Sequence, residues 1–92
     1  MRRIEQMRAL LEQALAPQLL EIEDDSHLHK GHAGAAGGAG HYRLRIVSAR
    51  FEGLAAVARH RLVYAALAEL MPAQVHALGI VAQTPLEAGS QA

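Results

Sequence analysis

The amino-acid sequence predicts a small α/β (α+β) fold in which helices cover one face of a three-stranded mixed sheet. Three observations predict it. Leu20-Glu21-Ile22-Glu23 and His41-Tyr42-Arg43-Leu44-Arg45-Ile46-Val47 alternate with period two, as half-buried strands do. Apolar residues recur at helical spacing before the first of these stretches and after the second. An apolar run, Val75-His76-Ala77-Leu78-Gly79-Ile80-Val81, follows the longer helical pattern, so a helical crossover joins it to the second strand as a parallel neighbour.

The elements follow in order. Ile4, Met7, Leu11, Ala14 and Leu15 form the apolar stripe of a first helix, which stops before Pro17 because proline disfavours helical geometry in its predecessor. If the first two strands pair as a hairpin, Glu21 and Glu23 lie across from Arg43 and Arg45 on the outer face, while Tyr42, Leu44 and Ile46 face the core. Ser48 to Gly53 is a connection with Phe51 as a core plug, and residues 54–71 form the main helix, broken by Pro72 and Gln74. His60, Val63, Leu67 and Leu70 share its inner stripe. Thr84, Pro85 and Glu87 are placed as N-cap, first helical residue and capping-box acid of a last short helix. The expected arrangement is one domain over residues 1–92, with an ordered core at about 4–87, a mobile loop at about 26–40 and a frayed C-terminus.

Bulk properties narrow the function. A chain of 92 residues holds one core, burying a little over about 60% of its unfolded surface. Zero net charge removes the global electrostatic case for nucleic-acid or anionic-membrane binding. Charge is nevertheless uneven: Arg43, Arg45, Arg50, Arg59 and Arg61 face only Glu52 between residues 41 and 64. The absence of cysteine excludes disulfides, and the lack of a signal peptide or long apolar run leads us to expect a soluble cytoplasmic protein that does not enter membranes.

Six histidines stand out, four of them (His27, His29, His32 and His41) on one glycine-rich stretch. Neutral imidazole is the commonest protein metal ligand. The HxHxxH spacing of His27, His29 and His32 lacks the second ligand cluster of a zinc site, and a solvated polar loop or simple zinc buffering are competing readings. Asp24-Asp25-Ser26-His27 offers acid, nucleophile and base in a contiguous string, a form in which triads are not built. Gly34-Ala35-Ala36-Gly37 matches GxxG but lies between strands rather than helices, and we treat it as a chance match. His41 belongs to the outer strand face with the arginines. His60 is expected to be a hydrogen-bonded core histidine. His76 opens the third strand, with the parity of Leu78 and Ile80.

The combination D24-D-S-H-L-H-K-G-H32, H41-Y-R-L-R-I-V-S48, F51-E-G53, R59-H-R-L-V-Y64 and V75-H-A-L78 resembles the BolA family over about Ile4 to Glu87. That resemblance implies the order helix–strand–strand–helix–helix–strand, with a class II KH-like sheet. It also implies a non-enzymatic adaptor that is monomeric alone and forms a heterodimer with a monothiol glutaredoxin, in iron–sulfur trafficking or iron homeostasis. A [2Fe-2S] cluster would then be shared with the glutaredoxin and glutathione, which supply the sulfur ligands. By resemblance His76 is one ligand and a loop histidine the second. Counting from S-x-x-H favours His29, and counting back from His41 favours His32. The chain departs from the family's T-H-F by reading Gly40-His41-Tyr42. The alternative reading is a nucleic-acid-binding transcriptional regulator, with DNA as partner and Arg50, Arg59 and Arg61 as the contacting cations.

Overall fold

The computed structural model describes residues 3–25, 40–71 and 75–90, with the backbone alone for residues 75–77 and 90. Helix α1 spans Arg3–Leu15, strand β1 Leu19–Asp24, strand β2 Gly40–Val47, helix α2 Ala56–Ala66, strand β3 Val75–Gln83 and helix α3 Pro85–Ser90. The sheet order is β1-β2-β3, with β1 antiparallel and β3 parallel to β2. This is the mixed sheet expected from the sequence.

Alternation on β2 decides the layering. Tyr42, Leu44 and Ile46 are buried against Met7, Leu11 and Leu15 of α1, Phe51, Val63 of α2, and Leu67 and Leu70 beyond it. The other face carries the expected ladder: Glu21 pairs in register with Arg45 and Glu23 with Arg43. Arg43 Nη2 lies 3.1 Å from Glu23 Oε2, and Arg45 Nη1 lies 3.9 Å from Glu21 Oε1.

Three boundaries and one placement differ from expectation. The main helix is shorter than 54–71 at both ends. Gly53 turns the chain with φ +76 and Ala55 is extended, so helical geometry begins at Ala56. At its far end Leu67 N–H is shared between the carbonyls of Val63 (3.1 Å) and Tyr64 (3.2 Å), and a 3₁₀ turn follows over Ala68–Leu70. Tightening to three residues per turn brings Leu67 and Leu70 to the same side, and both are buried. Strand β3 continues past Val81 to Gln83, because its ladder with β2 runs as far as Val47↔Gln83 and Arg45 Nε donates to Gln83 Oε1 at 3.2 Å. His60 is only half-buried, so it is not the core histidine expected.

The last short helix has the expected N-terminus. Thr84 N–H donates to Glu87 Oε1 (2.8 Å) and Glu87 N–H to Thr84 Oγ1 (3.2 Å), a reciprocal capping box. At the opposite end of β2, buried Ser48 closes two backbone accounts at once. Its hydroxyl donates to the C-terminal carbonyl of Leu15 at 2.6 Å and accepts from Arg50 N–H at 3.1 Å. Replacing Ser48 by Ala strips both groups of this partner, and a stability loss of about 2 kcal/mol is expected in denaturant unfolding.

Candidate functional site

The topology gathers the feet of the histidine-bearing segment and the start of β3 at one end of the sheet. Strand β1 ends there at Asp24, and β2 and β3, being parallel, both begin there. Residues 26–39, which include His27, His29, His32 and the GxxG match, lie outside the described residues. Their two feet, Asp25 and Gly40, are described.

Gly40 pairs with Val75, and the next pair is His41↔Ala77. His76 is therefore the extra residue of β3 at a bulge, with no partner of its own across the ladder. His76 thus follows directly the residue that pairs with the second foot of the histidine-bearing segment. His41 is half-buried on β2, and His60 sits on α2 outside this end's ladder. Among the described residues, no three histidine, cysteine, aspartate or glutamate side chains are grouped to hold a metal.

The first foot is clamped from β2. Asp25 N–H donates to the His41 carbonyl at 2.7 Å, and the largely buried Asp25 carboxylate accepts from Arg43 Nε. The hydrogen bond that Arg43 donates to Asp25, then the charges of Asp25 and Glu23, raise the Arg43 pKa above its ordinary value. Sequence reasoning assigned Asp25 only to the Asp-Asp-Ser-His string. The available signal was that Glu21, Glu23 and Asp25 continue one period-two acidic series facing the β2 arginines. Glu21, Glu23, Arg43, Leu44, Arg45 and Val81 line a shallow depression of about 480 Å³ on this outer face.

The second foot accounts for the departure from T-H-F. A Cβ at Gly40 would collide with Tyr42 Cε2 and lie 2.7 Å from both Cζ and the hydroxyl oxygen. The Tyr42 ring therefore occupies the space a side chain at position 40 would need, and its hydroxyl accepts from Arg3 Nη1 at 3.3 Å. Gly40→Ala is expected to cost about 2 kcal/mol by overpacking. Tyr42→Leu should reduce that cost and Tyr42→Phe should not, as read from unfolding of the single and double variants.

The three arginines of the nucleic-acid alternative do not form one free cationic group. Arg50 and Arg61 are exposed. Arg59 is engaged within the protein: Nε donates to Leu54 O at 2.8 Å, and Nη1 to Ala82 O at 3.0 Å and Glu87 Oε1 at 2.6 Å. Nη2 donates to Glu87 Oε2 at 3.2 Å, and the side chain is 13% exposed. The Glu87 carboxylate is held down to about 2, first by Arg59 and then by Thr84 N–H. A depressed carboxylate stabilises the fold above its ordinary 4.5, and that contribution disappears as pH falls from there through about 2. Thermal unfolding followed over that window should show wild type losing more stability than Glu87→Gln.

Comparison with known proteins agrees with this architecture. Residues 11–87 match the family described as BolA-like protein. BolA-like protein 1 of Pongo abelii is 49% identical over 83 residues, covering 90% of this chain and 58% of its own length. SufE-like protein 1, chloroplastic/mitochondrial, of Arabidopsis thaliana is 48% identical over 86 residues, covering 88% of this chain and 23% of that protein. This chain thus spans less than two thirds of the length of each of these relatives. Among solved structures, the BolA domain of SufE1 from Arabidopsis thaliana superposes with a TM-score of 0.83 at 45% identity, covering 95% of this chain and 96% of that one. The solution structure of BolA1 from Mus musculus gives 0.79 at 44%, covering 99% and 72%.

Proposed function

This chain belongs to the BolA-like protein family, and we propose that it is a non-enzymatic adaptor that shares a [2Fe-2S] cluster with a monothiol glutaredoxin. One observation carries the reading: His76 stands at a β3 bulge beside Gly40, where the histidine-bearing segment returns to the sheet. A BolA domain within a SufE-like protein supports a role connected with iron–sulfur chemistry.

The donor set suits a shared group. The chain offers imidazoles and no thiolate. His76 and either His29 or His32 would occupy one iron, and the glutaredoxin cysteine and glutathione the other. Nitrogen ligation of that kind raises a cluster's potential relative to all-thiolate ligation. The nucleic-acid reading keeps Arg50 and Arg61 as its exposed cations. The engagement of Arg59 within the protein and the zero net charge weigh against it.

Titration with a glutaredoxin carrying a [2Fe-2S] cluster, followed by visible circular dichroism, tests the proposal. A changed spectrum and a one-to-one heterodimer are expected, with little cluster held by this chain alone. His76→Ala should abolish the change, and His29→Ala and His32→Ala, made separately, should identify the second ligand. A spectrum untouched by His76→Ala would overturn the assignment.

A further inference from the structure

Helix α2 is apolar on more sides than it buries. Its charged residues are Arg59 and Arg61, and it carries no acid between Ala56 and Ala66. Helices with apolar residues around most of their circumference are usually buried, yet of the 11 residues of α2 only Val63 is fully so. Val57 is 62% exposed and Leu62 36%, and Ala65 is exposed as well. Leu62, Ala65 and Ala66 line an open groove of about 520 Å³ together with Ala14 and Leu15 of α1 and with Arg50. The groove lies toward the end of β2 remote from Gly40, because Ser48, which follows β2, binds both the Leu15 carbonyl and the Arg50 N–H.

Charge selects the occupant. Arg50 is the one charged residue among the described residues that line the groove. Arg61 stands one turn before Ala65 on α2, so a second cation borders it. Among the described residues neither of these arginines is ion-paired, whereas Arg8, Arg43, Arg45 and Arg59 each pair with a carboxylate. Glu12 of α1 is turned to Arg8 rather than to the groove. Two unpaired guanidinium groups beside apolar surface suit carboxylates brought from outside. A nucleic-acid backbone would meet the cations and leave the apolar lining unfilled. A small ligand would stay largely in water, since Ala14, Arg50, Leu62 and Ala65 are all exposed, whereas small-molecule sites enclose most of what they bind. A protein segment with an apolar anchor and acidic flanks satisfies both parts of the surface.

We propose that this groove is a docking site for an acidic segment of a partner protein, which seats an aliphatic side chain between α1 and α2 and sets carboxylates on Arg50 and Arg61. The inference goes beyond the shared-cluster reading and does not rest on it.

The probe is a synthetic peptide, acetylated and amidated, with leucine at every third or fourth position, glutamate flanking each leucine and alanine between. Its counterpart carries lysine for every glutamate. Each is titrated into the isotope-labelled full chain and followed by amide chemical shifts. Saturable shifts at Ala14, Leu15, Leu62, Ala65 and Ala66 are expected with the acidic peptide, and binding at least about 10-fold weaker with the lysine peptide. Arg50→Glu and Ala65→Gln should each weaken the acidic peptide about 10-fold, the first by repulsion and the second by filling the groove. Both positions are exposed, so unfolding midpoints close to wild type are expected, and Arg61→Glu carries the charge test if Arg50→Glu does not fold. Absence of shifts at these amides, equal binding of the two peptides, or wild-type affinity in the variants would overturn the proposal. Displacement of the peptide by duplex DNA whose own affinity is undiminished in Ala65→Gln would assign the two arginines to nucleic acid and overturn it as well.

Discussion

Strand β2 has to satisfy two neighbours running in opposite directions while separating a dry face from a wet one. Its alternation makes this workable. Tyr42, Leu44 and Ile46 enter the core, and Arg43 and Arg45 stand on the other face against the acids of β1. A slip of one residue would place arginines against Met7 and Phe51 and expose the apolar set, so the register is set by solvation rather than by the ion pairs. The rest of the fold is arranged around that strand. Helices α1 and α2 cover its apolar side, and Ser48 at its end ties the last turn of α1 to the turn that inserts Phe51.

A three-stranded sheet has two edges, and here helix side chains cover carbonyls on both. Arg8 of α1 donates to Leu20 O on β1 at 3.1 Å. On β3, Arg59 of α2 donates to Ala82 O and the Tyr64 hydroxyl reaches Leu78 O at 3.5 Å. Gln83 O instead faces β2, accepting from Ser48 N–H, so the even-numbered carbonyls of β3 are the outward ones. Exposed edges invite pairing with other chains, and arginine heads placed on these carbonyls discourage it. Several of the arginines in the basic middle of the sequence are therefore used by the sheet itself: Arg43 and Arg45 on its face and Arg59 at its edge.

This explains which parts of the molecule were legible in the sequence. Periodicity exposed the strands, the first helix and the inward face of β2, because burial of one face writes itself into every second or every third-to-fourth residue. The Thr84–Glu87 capping box was legible because it is local. What escaped were long-range polar ties. Nothing around Arg59 shows that its acceptors are Leu54, Ala82 and Glu87, up to 28 residues away. Asp25 was hidden by its neighbours, since a second acidic residue followed by serine and histidine reads as loop. The register shift at His76 was invisible for a different reason: an inserted residue within an apolar strand leaves the composition unchanged.

The bulge matters because it lies where the two halves of the proposed site meet. Had the ladder run without a shift, His76 would have been one more paired residue of a parallel strand. At the shift the backbone leaves His76 without a Cα partner of its own on β2. Beside it, Gly40 carries no side chain because Tyr42 fills that volume, so β2 begins on a backbone whose path is fixed by packing. On the other foot, Asp25 is fixed by Arg43. Both points where the histidine-bearing segment leaves and returns are thus held by packing or hydrogen bonds, and the register shift of the β2–β3 ladder falls at a histidine. A chain without thiolates has no reason to complete a soft-metal site by itself. Held feet beside a segment rich in imidazole are consistent with the proposal that a partner's sulfur ligands complete the site.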